Sequence, residues 1–252
     1  SRVDEDLFDD ETAAETEDGG ATSSPDAATF VAPDGEPAAE AVVEWIDAVA
    51  AGDMEAAWRL LAPASQTYWG SIEDFAAERT SFAEGYAAWR VADPEFLVTP
   101  LESAGDDLVL VTLVGVVPQE GTNSHRADTF PVRLSGDVAL LDLHSSAGVM
   151  EIVVPDDPDS DGTPASVAAD EELVLVVPGD GPPPVLRIDD GEPVVCGEAP
   201  GTELTDLEGT TARRCGYAPP GGLPAGDHVL IAAFPSADGA SVTAPSGAFP
   251  VG

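Results

Sequence analysis

The sequence predicts an α+β fold in which three helices pack on a curved antiparallel sheet, followed by a separate all-β sandwich. Apolar residues recur at helical spacing between Pro37 and Trp89, and short strand-like runs with turn residues follow them. A segment rich in Pro, Ser, Gly and Asp at 151–172 is the predicted acidic linker. The predicted domains are therefore 37–150 and 173–252.

Residues 1–36 are expected to form an acidic, disordered leader. The segment is rich in acidic and small polar residues and has no sustained apolar periodicity. Such a composition cannot bury enough apolar surface to offset the entropy of ordering. Two interpretations stay open: a stalk that holds the next domain away from a membrane or wall, and a leader without a function of its own.

Three short amphipathic helices are predicted in the first domain. The first begins at Pro37, a residue suited to the first turn of a helix, and ends at Gly52. The second follows Asp53, a typical N-cap, and ends before the next proline. The third begins at Ser71, the first residue of a capping box, and its apolar stripe continues to Trp89, with Gly85 as the point where the helix is expected to weaken and either bend or end. Each helix has one apolar face that needs a sheet to cover it.

A four-stranded antiparallel meander is predicted after the helices, at 96–101, 107–117, 126–135 and 137–144. Helices gathered on one face of this sheet would complete an α+β domain. The second domain contains only short strand-like runs, with turn residues every 8 to 12 positions, as is typical of a sandwich.

Cys196 and Cys215 are predicted to form a disulfide. They are the two cysteines of the chain, and neither has the companion ligands that a zinc site needs. Two free buried thiols are the alternative. A disulfide would stabilise the second domain by about 3 kcal/mol in the chain-entropy model, and it would indicate an oxidising, extracytoplasmic compartment.

The net charge of −39, with nine basic residues that are all arginine, excludes two classes of partner. So acidic a surface repels nucleic-acid phosphates and anionic membrane surfaces. Adaptation to a salty or extracellular setting and the composition of a GC-rich genome are both open explanations. The longest apolar run, 108–117, is too short to cross a bilayer, so no transmembrane segment is predicted, and a signal or anchor is expected upstream of Ser1.

Two stretches of the helical half, "EAVVEWIDAVAAGDMEAAWRLLAPAS" and "SIEDFAAERTSF", precede the strand meander. In these features residues 37–145 resemble the nuclear transport factor two-like superfamily, most closely its extracytoplasmic bacterial members. The resemblance implies a cone-shaped α+β fold (cystatin-like) with a pocket at its wide end. On "IDDGEPV" and "LPAGDHVLIAAFPSADGASVTAPSGAFPV", residues 173–252 resemble a bacterial immunoglobulin-like domain, although the cysteine and tryptophan pattern of antibody domains is absent.

Trp69, Tyr86 and His144 are the candidate ligand-binding residues. Trp69 lies between predicted helices, Tyr86 belongs to an aromatic cluster, and His144 is at a strand end with Asp142 on the same face. Ser145 points to the other face, so these neighbours do not form a nucleophile set. No catalytic residue and no cofactor is predicted, and the other two histidines are interpreted as incidental.

Asp157, Asp159 and Asp161 alternate before Gly162, as at the start of a calcium-binding loop. Ala168 stands at the twelfth position, where such a loop needs a bidentate Glu. No metal site is therefore predicted. An acidic linker is the favoured interpretation, and weak extracellular calcium binding is the open alternative.

These observations predict a secreted or surface-anchored bacterial cell-envelope protein, a lipoprotein or otherwise membrane-anchored, that acts as a non-catalytic binding or spacer module. Its partner would be a protein or another component of the envelope. The alternative is a small-ligand binding protein or an isomerase or dehydratase that uses the cone pocket. Enzymes of the resembled family use a carboxylate base, and no motif in this chain matches one.

Overall fold

The computed structural model describes most of the chain beyond residue 29. The residues that it describes are 30–101, 107–119, 122–136, 138–144, 152–153, 167–179, 181–235 and 242–252. The predicted leader lies outside them up to residue 29. The helices are α1 (Pro37–Ala50), α2 (Met54–Arg59), α3 (Pro63–Trp69), α4 (Ile72–Arg79) and α5 (Ala83–Ala87), with 3-10 turns at Thr80–Phe82 and Ala88–Val91.

Two short helices begin at the predicted N-caps. The Asp53 carboxylate accepts a hydrogen bond from the backbone N–H of Ala56 at 3.0 Å, and the Ser71 hydroxyl accepts one from Asp74 at 3.1 Å. A side-chain acceptor at these positions satisfies a backbone N–H group that has no partner inside the helix. The starts of α2 and α4 therefore follow from the local sequence.

The helical half differs from the prediction in two places. Pro63 was expected to follow the end of a helix, but it is the first residue of α3, a position that suits proline. The predicted long helix from Ser71 to Trp89 is interrupted at Thr80, whose hydroxyl donates to the Ala76 carbonyl at 2.7 Å. Such a bond competes with regular helix geometry. The prediction of three helices is wrong.

The first sheet is antiparallel and has the order β1-β2-β3-β4. Its strands are β1 (Glu95–Pro100), β2 (Leu108–Gln119), β3 (Thr122–Ser135) and β4 (Val138–Leu141). β3 pairs with β2 without a break in register, whereas β4 covers only the last four residues of β3. On the side of β3 away from β2, the residues before Val132 therefore have no pairing with β4.

Two further antiparallel sheets contain the remaining strands. These are β5 (Ile152–Val153), β6 (Leu173–Pro178), β7 (Val185–Ile188), β8 (Val194–Val195), β9 (Thr202–Asp206), β10 (Ala212–Tyr217), β11 (Gly226–Pro235), β12 (Val242–Thr243) and β13 (Ser246–Val251). The second sheet has the order β5-β6-β10-β9, and the third has the order β12-β11-β7-β8, with β13 also paired to β11.

Three groups of buried apolar side chains hold these elements together in four layers. The helices pack on the first sheet around residues such as Trp45 and Phe130. The opposite face of the first sheet packs on the third sheet through residues such as Leu110 and Ile231. The other face of the third sheet packs on the second sheet around Leu175. The order of the layers is therefore helices, first sheet, third sheet, second sheet.

The fold predicted from the sequence, a three-helix cone and a separate immunoglobulin-like sandwich, is wrong for this chain. The described residues form three antiparallel sheets and five α-helices, and strands predominate. The first and third sheets share a core because each has apolar side chains on both faces. The predicted linker 151–172 contributes β5 and Val167, which pairs with Val251. The proposed domain boundaries stay a prediction.

The predicted disulfide is confirmed. The sulfurs of Cys196 and Cys215 are 2.06 Å apart. Cys196 follows β8 in the third sheet and Cys215 lies in β10 of the second, so the bond links two layers. A structural disulfide indicates an oxidising, extracytoplasmic environment. Among the described helices, none has the length and apolar character required to cross a membrane.

Candidate functional site

A cavity of about 350 Å³ lies between α4, α5, the β3 edge and the segment that precedes β13. Both halves of the chain contribute to its wall, because Val242 to Ser246 line it together with residues of β3. Its charged and aromatic lining residues include Arg79, Phe82, Tyr86, Arg126, Asp128 and His144. The cavity opens where β4 has ended and β3 continues alone.

Asp142 is a fully buried carboxylate on the wall of the cavity. It accepts hydrogen bonds from Arg133 Nε at 2.7 Å and from Ser65 Oγ at 3.2 Å, and His144 Nε2 is 2.7 Å from its Oδ1 atom. Burial opposes ionisation, but the bonds to His144 and Arg133 outweigh it and lower the pKa of Asp142. The carboxylate is thus ionised at neutral pH and can only accept, so His144 Nε2 is the donor.

The fixed tautomer of His144 leaves its second ring nitrogen, Nδ1, without a hydrogen-bond partner among the described residues. In the neutral ring this nitrogen is an acceptor or base. Tyr68 packs edge-on against the imidazole, with ring centroids 5.1 Å apart. The Ser65 hydroxyl is not available as a nucleophile, since it is fully buried and donates to Asp142 and Leu141. Ser145 lies outside the described residues.

Arg126 is neutralised within the cavity wall. Its guanidinium makes a two-point contact with Asp128, through Nε at 3.1 Å and a second nitrogen at 2.5 Å, and it also donates to the Gly85 carbonyl. The indole of Trp89 donates to the same carboxylate at 2.7 Å. These hydrogen bonds connect β3 to α5 and to the 3-10 turn that follows it. Because Asp128 balances the charge of Arg126, this arginine offers little attraction to an anionic ligand.

Arg79 differs from Arg126, the other arginine that lines the cavity, because no carboxylate pairs with it in the described part of the chain. Its guanidinium lies 5.2 Å from the Trp69 ring centroid and 5.7 Å from that of Phe82, and its charge acts on the phenol of Tyr86. The buried Nε atom of Arg79 has no hydrogen-bond partner among the described residues. Aromatic rings therefore hold the Arg79 guanidinium in place, while its N–H groups stay available to a ligand.

Burial is the main influence on the phenol of Tyr86, and it raises the pKa of this group. The Asp128 charge acts in the same direction, while Arg79 and Arg126 act against it. Tyr86 therefore remains a neutral hydroxyl at physiological pH, able to donate one hydrogen bond.

Two of the three predicted ligand-binding residues line the cavity, Tyr86 and His144. Trp69 is buried behind Arg79 and donates its indole N–H to the Leu143 carbonyl at 3.0 Å. It therefore supports the wall. The sequence prediction missed Arg79, although a single basic residue in an aromatic helical stripe was a usable signal. Whether any of these residues binds a ligand stays a prediction.

No metal site is found in the described residues, where no group of three or more His, Cys, Asp or Glu side chains could hold an ion. The alternating aspartates that resemble the start of a calcium-binding loop lie outside the described residues; they are Asp157, Asp159 and Asp161.

No family model matches the chain, and no curated protein is similar enough to count as a relative. The resemblances inferred from sequence segments therefore stay predictions.

Proposed function

We propose that this chain is a non-catalytic binding protein of the bacterial cell envelope, and that its cavity takes a small ligand or chain segment with a carboxylate. The observation that carries the proposal is Arg79, a guanidinium held in the cavity wall by aromatic rings and without an acidic partner among the described residues. The envelope location is supported by the disulfide between Cys196 and Cys215.

The surrounding charges restrict which carboxylates can bind. A chain with a net charge of −39 repels polyanions at long range, so a single carboxylate on an otherwise neutral body fits better than a phosphate-rich ligand. At short range, a guanidinium binds a carboxylate through two parallel hydrogen bonds. The Tyr86 hydroxyl beside Arg79 offers a further donor.

The binding test uses N-acetylalanine, a small carboxylate, and N-acetylalanine amide, its uncharged counterpart. The probes are titrated while the indole N–H signal of Trp69 is followed by NMR, since Arg79 lies over that ring. We expect the acid to shift the signal and the amide to leave it unchanged. Arg79→Gln should weaken binding at least tenfold, because hydrogen bonds between charged groups are lost.

Arg59→Gln is the matched control, because Arg59 is an exposed arginine on α2 outside the cavity. It should bind the acid as the unmodified protein does. Equal binding of acid and amide, or an Arg79→Gln variant that binds as well as the control, would contradict the proposal.

A second candidate function, acid–base catalysis, is favoured by one observation: His144 lines the cavity, its Nε2 is oriented by the buried Asp142, and its Nδ1 has no partner in the described part of the chain. An isomerase or dehydratase with this base would exchange protons next to a carbonyl group. Deuterium incorporation into a panel of small ketones and oxo-acids would reveal it. Exchange that is lost in His144→Gln would support catalysis, and no exchange above buffer would remove this candidate.

A further inference from the structure

The β3 edge that faces the cavity presents backbone groups that have no partner among the described residues. β4 pairs with β3 only from Val132 to Ser135, so the edge is open before this point. At one end of the open stretch, the Asp142 N–H donates to the Pro131 carbonyl at 2.8 Å. At the other end, the Ser246 hydroxyl donates to the Ala127 carbonyl at 3.1 Å.

The regular register of β3 assigns a direction to each backbone group. The N–H of Leu134 bonds to the Asp107 carbonyl on the β2 side, so even-numbered residues of β3 face β2 and odd-numbered residues face the opposite edge. Between the two capped carbonyls, the edge therefore presents the N–H and the C=O of Thr129, and the N–H of Ala127 lies just before the first of them. No backbone partner for these groups occurs among the described residues.

This open stretch has the dimensions of a short strand partner. From residue 127 to residue 131 the edge spans about 13 Å, at about 3.3 Å per residue. Residues around Tyr86 and from Val242 to Ser246 line the same cavity of about 350 Å³ as this edge. A stretch of this length in such a cavity suits a single extended chain rather than a whole sheet.

We propose that an extended peptide with a single carboxylate, three to four residues long at the contact, adds as a strand beside Ala127 and Thr129 of β3. Its backbone would satisfy the open edge, and its carboxylate would pair with Arg79 in the same cavity. The charge complementarity is local: of the two arginines that line the cavity, Arg126 is neutralised by Asp128, whereas Arg79 has a donor without a partner among the described residues. This inference rests on the proposed carboxylate site and names the class of its ligand.

The test compares four synthetic probes: acetyl-Val-Ala-Val-Ala as the free acid, the same peptide as its C-terminal amide, and two N-methylated forms of the acid. One form is methylated at its first and third amides, the other at its second and fourth. Strand addition uses only alternate N–H groups. We expect the free acid to bind at least tenfold tighter than N-acetylalanine, and only one of the methylated forms to lose this gain.

Thr129→Pro tests the same edge from the protein side, because it removes the N–H aimed at the cavity and proline is tolerated on an open edge. Thr129→Ala is the control, since both variants lose the hydroxyl contact with Thr112 but only the proline loses the N–H. We expect about tenfold weaker peptide binding in Thr129→Pro and no change in Thr129→Ala. Should the proline variant not fold, the methylated peptides decide the question.

The outcomes separate this inference from the proposed function. If N-acetylalanine binds through Arg79 but the peptide binds no better, or both methylated forms bind equally well, strand addition is wrong and the carboxylate site stands. If the peptide amide binds as tightly as the acid, the carboxylate role of Arg79 is wrong. If no probe binds, both proposals fail.

Discussion

Each half of the molecule contains a histidine that is 2.7 Å from an aspartate, and the two pairs differ in how they use the ring. Asp142 and His144 adjoin the cavity of the helical half, and Asp189 and His228 lie in the all-strand half. In the first pair the carboxylate is buried and shared with Arg133, while one imidazole nitrogen has no partner within the described ranges. In the second pair the imidazole is the buried group.

Both ring nitrogens of His228 have acceptors. Nδ1 faces the Asp189 carboxylate at 2.7 Å and Nε2 faces the Pro224 carbonyl at 2.8 Å. Since both partners only accept, the fully bonded state of His228 is the imidazolium. The other carboxylate oxygen of Asp189 accepts a hydrogen bond from the Val229 N–H at 2.8 Å, which attaches the Asp189 side chain to β11. The comparison teaches that a histidine–aspartate pair becomes available for function only where one nitrogen remains unused.

Removing the carboxylate of the first pair should have the largest effect on stability. Asp142→Ala leaves Arg133 without its buried partner and Ser65 without its side-chain acceptor. We expect a loss of about 3–5 kcal/mol in the free energy of unfolding, measured by urea denaturation. Asp107→Asn, at the exposed partner of the same arginine, should cost less than about 1 kcal/mol. Similar losses in the two variants would show that the buried network is not what holds this region.

The covalent link of the all-strand half should rank next. Replacing Cys196 and Cys215 with alanine removes a bond that closes a loop across 19 residues and joins two sheets. We expect a loss of about 3 kcal/mol in the free energy of unfolding, measured by the same urea method. Reducing the unmodified protein serves as the control and should give a similar loss. A reduced protein as stable as the oxidised form would contradict this expectation.

The second histidine pair predicts a loss of stability as the pH rises. Burial opposes the charge on His228, but the bonds to Asp189 and the Pro224 carbonyl, with the charge of Asp227, outweigh it and raise the pKa of the ring. Its contribution is therefore complete below about pH 6.5, the unfolded value, and is lost as the pH rises through the folded-state pKa.

Urea denaturation from pH 5 to pH 9 measures this loss, which we expect to be about 1–2 kcal/mol because Asp189 is partly exposed. His228→Gln should be less stable than the unmodified protein at pH 5, and its free energy of unfolding should not show this loss as the pH rises. His144→Gln, the corresponding change in the other pair, should retain the decline. A variant lacking His228 that declines as the unmodified protein does would assign the effect to other groups.

The smallest effect on stability is expected for Arg79→Gln, even though this change should abolish most ligand binding. Among the described residues its guanidinium contacts the rings of Trp69 and Phe82, and its charge acts on the phenol of Tyr86. We expect a loss of at most about 1 kcal/mol, measured by thermal and urea denaturation. A loss comparable to that of Asp142→Ala would mean that Arg79 is a structural residue.

Local features of this fold could be predicted from the sequence, but which sheets pack against each other could not. The caps at Asp53 and Ser71 depend on residues within one helical turn and appear where the pattern indicated. In contrast, α3 was missed because Pro63 reads equally well as an end or a start. The apolar run of β2, at 108–117, was a signal that both faces of the strand are covered, but it does not identify the covering sheet.

The candidate site was only partly predictable for the same reason. Tyr86 and His144 were identified by residue type and local pattern, and both line the cavity. Arg79 can be distinguished from Arg126 only in the folded structure, which shows that Arg126 is paired with Asp128 and that Arg79 has no acidic partner among the described residues. The open edge at Thr129 becomes apparent only once β4 is seen to end early.

The sequence by itself determined the starts of α1, α2 and α4, the main strand runs, the acidic composition and the pairing of Cys196 with Cys215, because each depends on neighbouring residues or on having one possible partner. Only the tertiary structure decided how the layers share their cores and which polar groups meet. Ser65 and Asp142 are 77 positions apart, and Ala127 and Ser246 are 119 apart. Contacts at such distances follow from how whole sheets pack, and sheet packing depends on the summed shape and burial of many side chains.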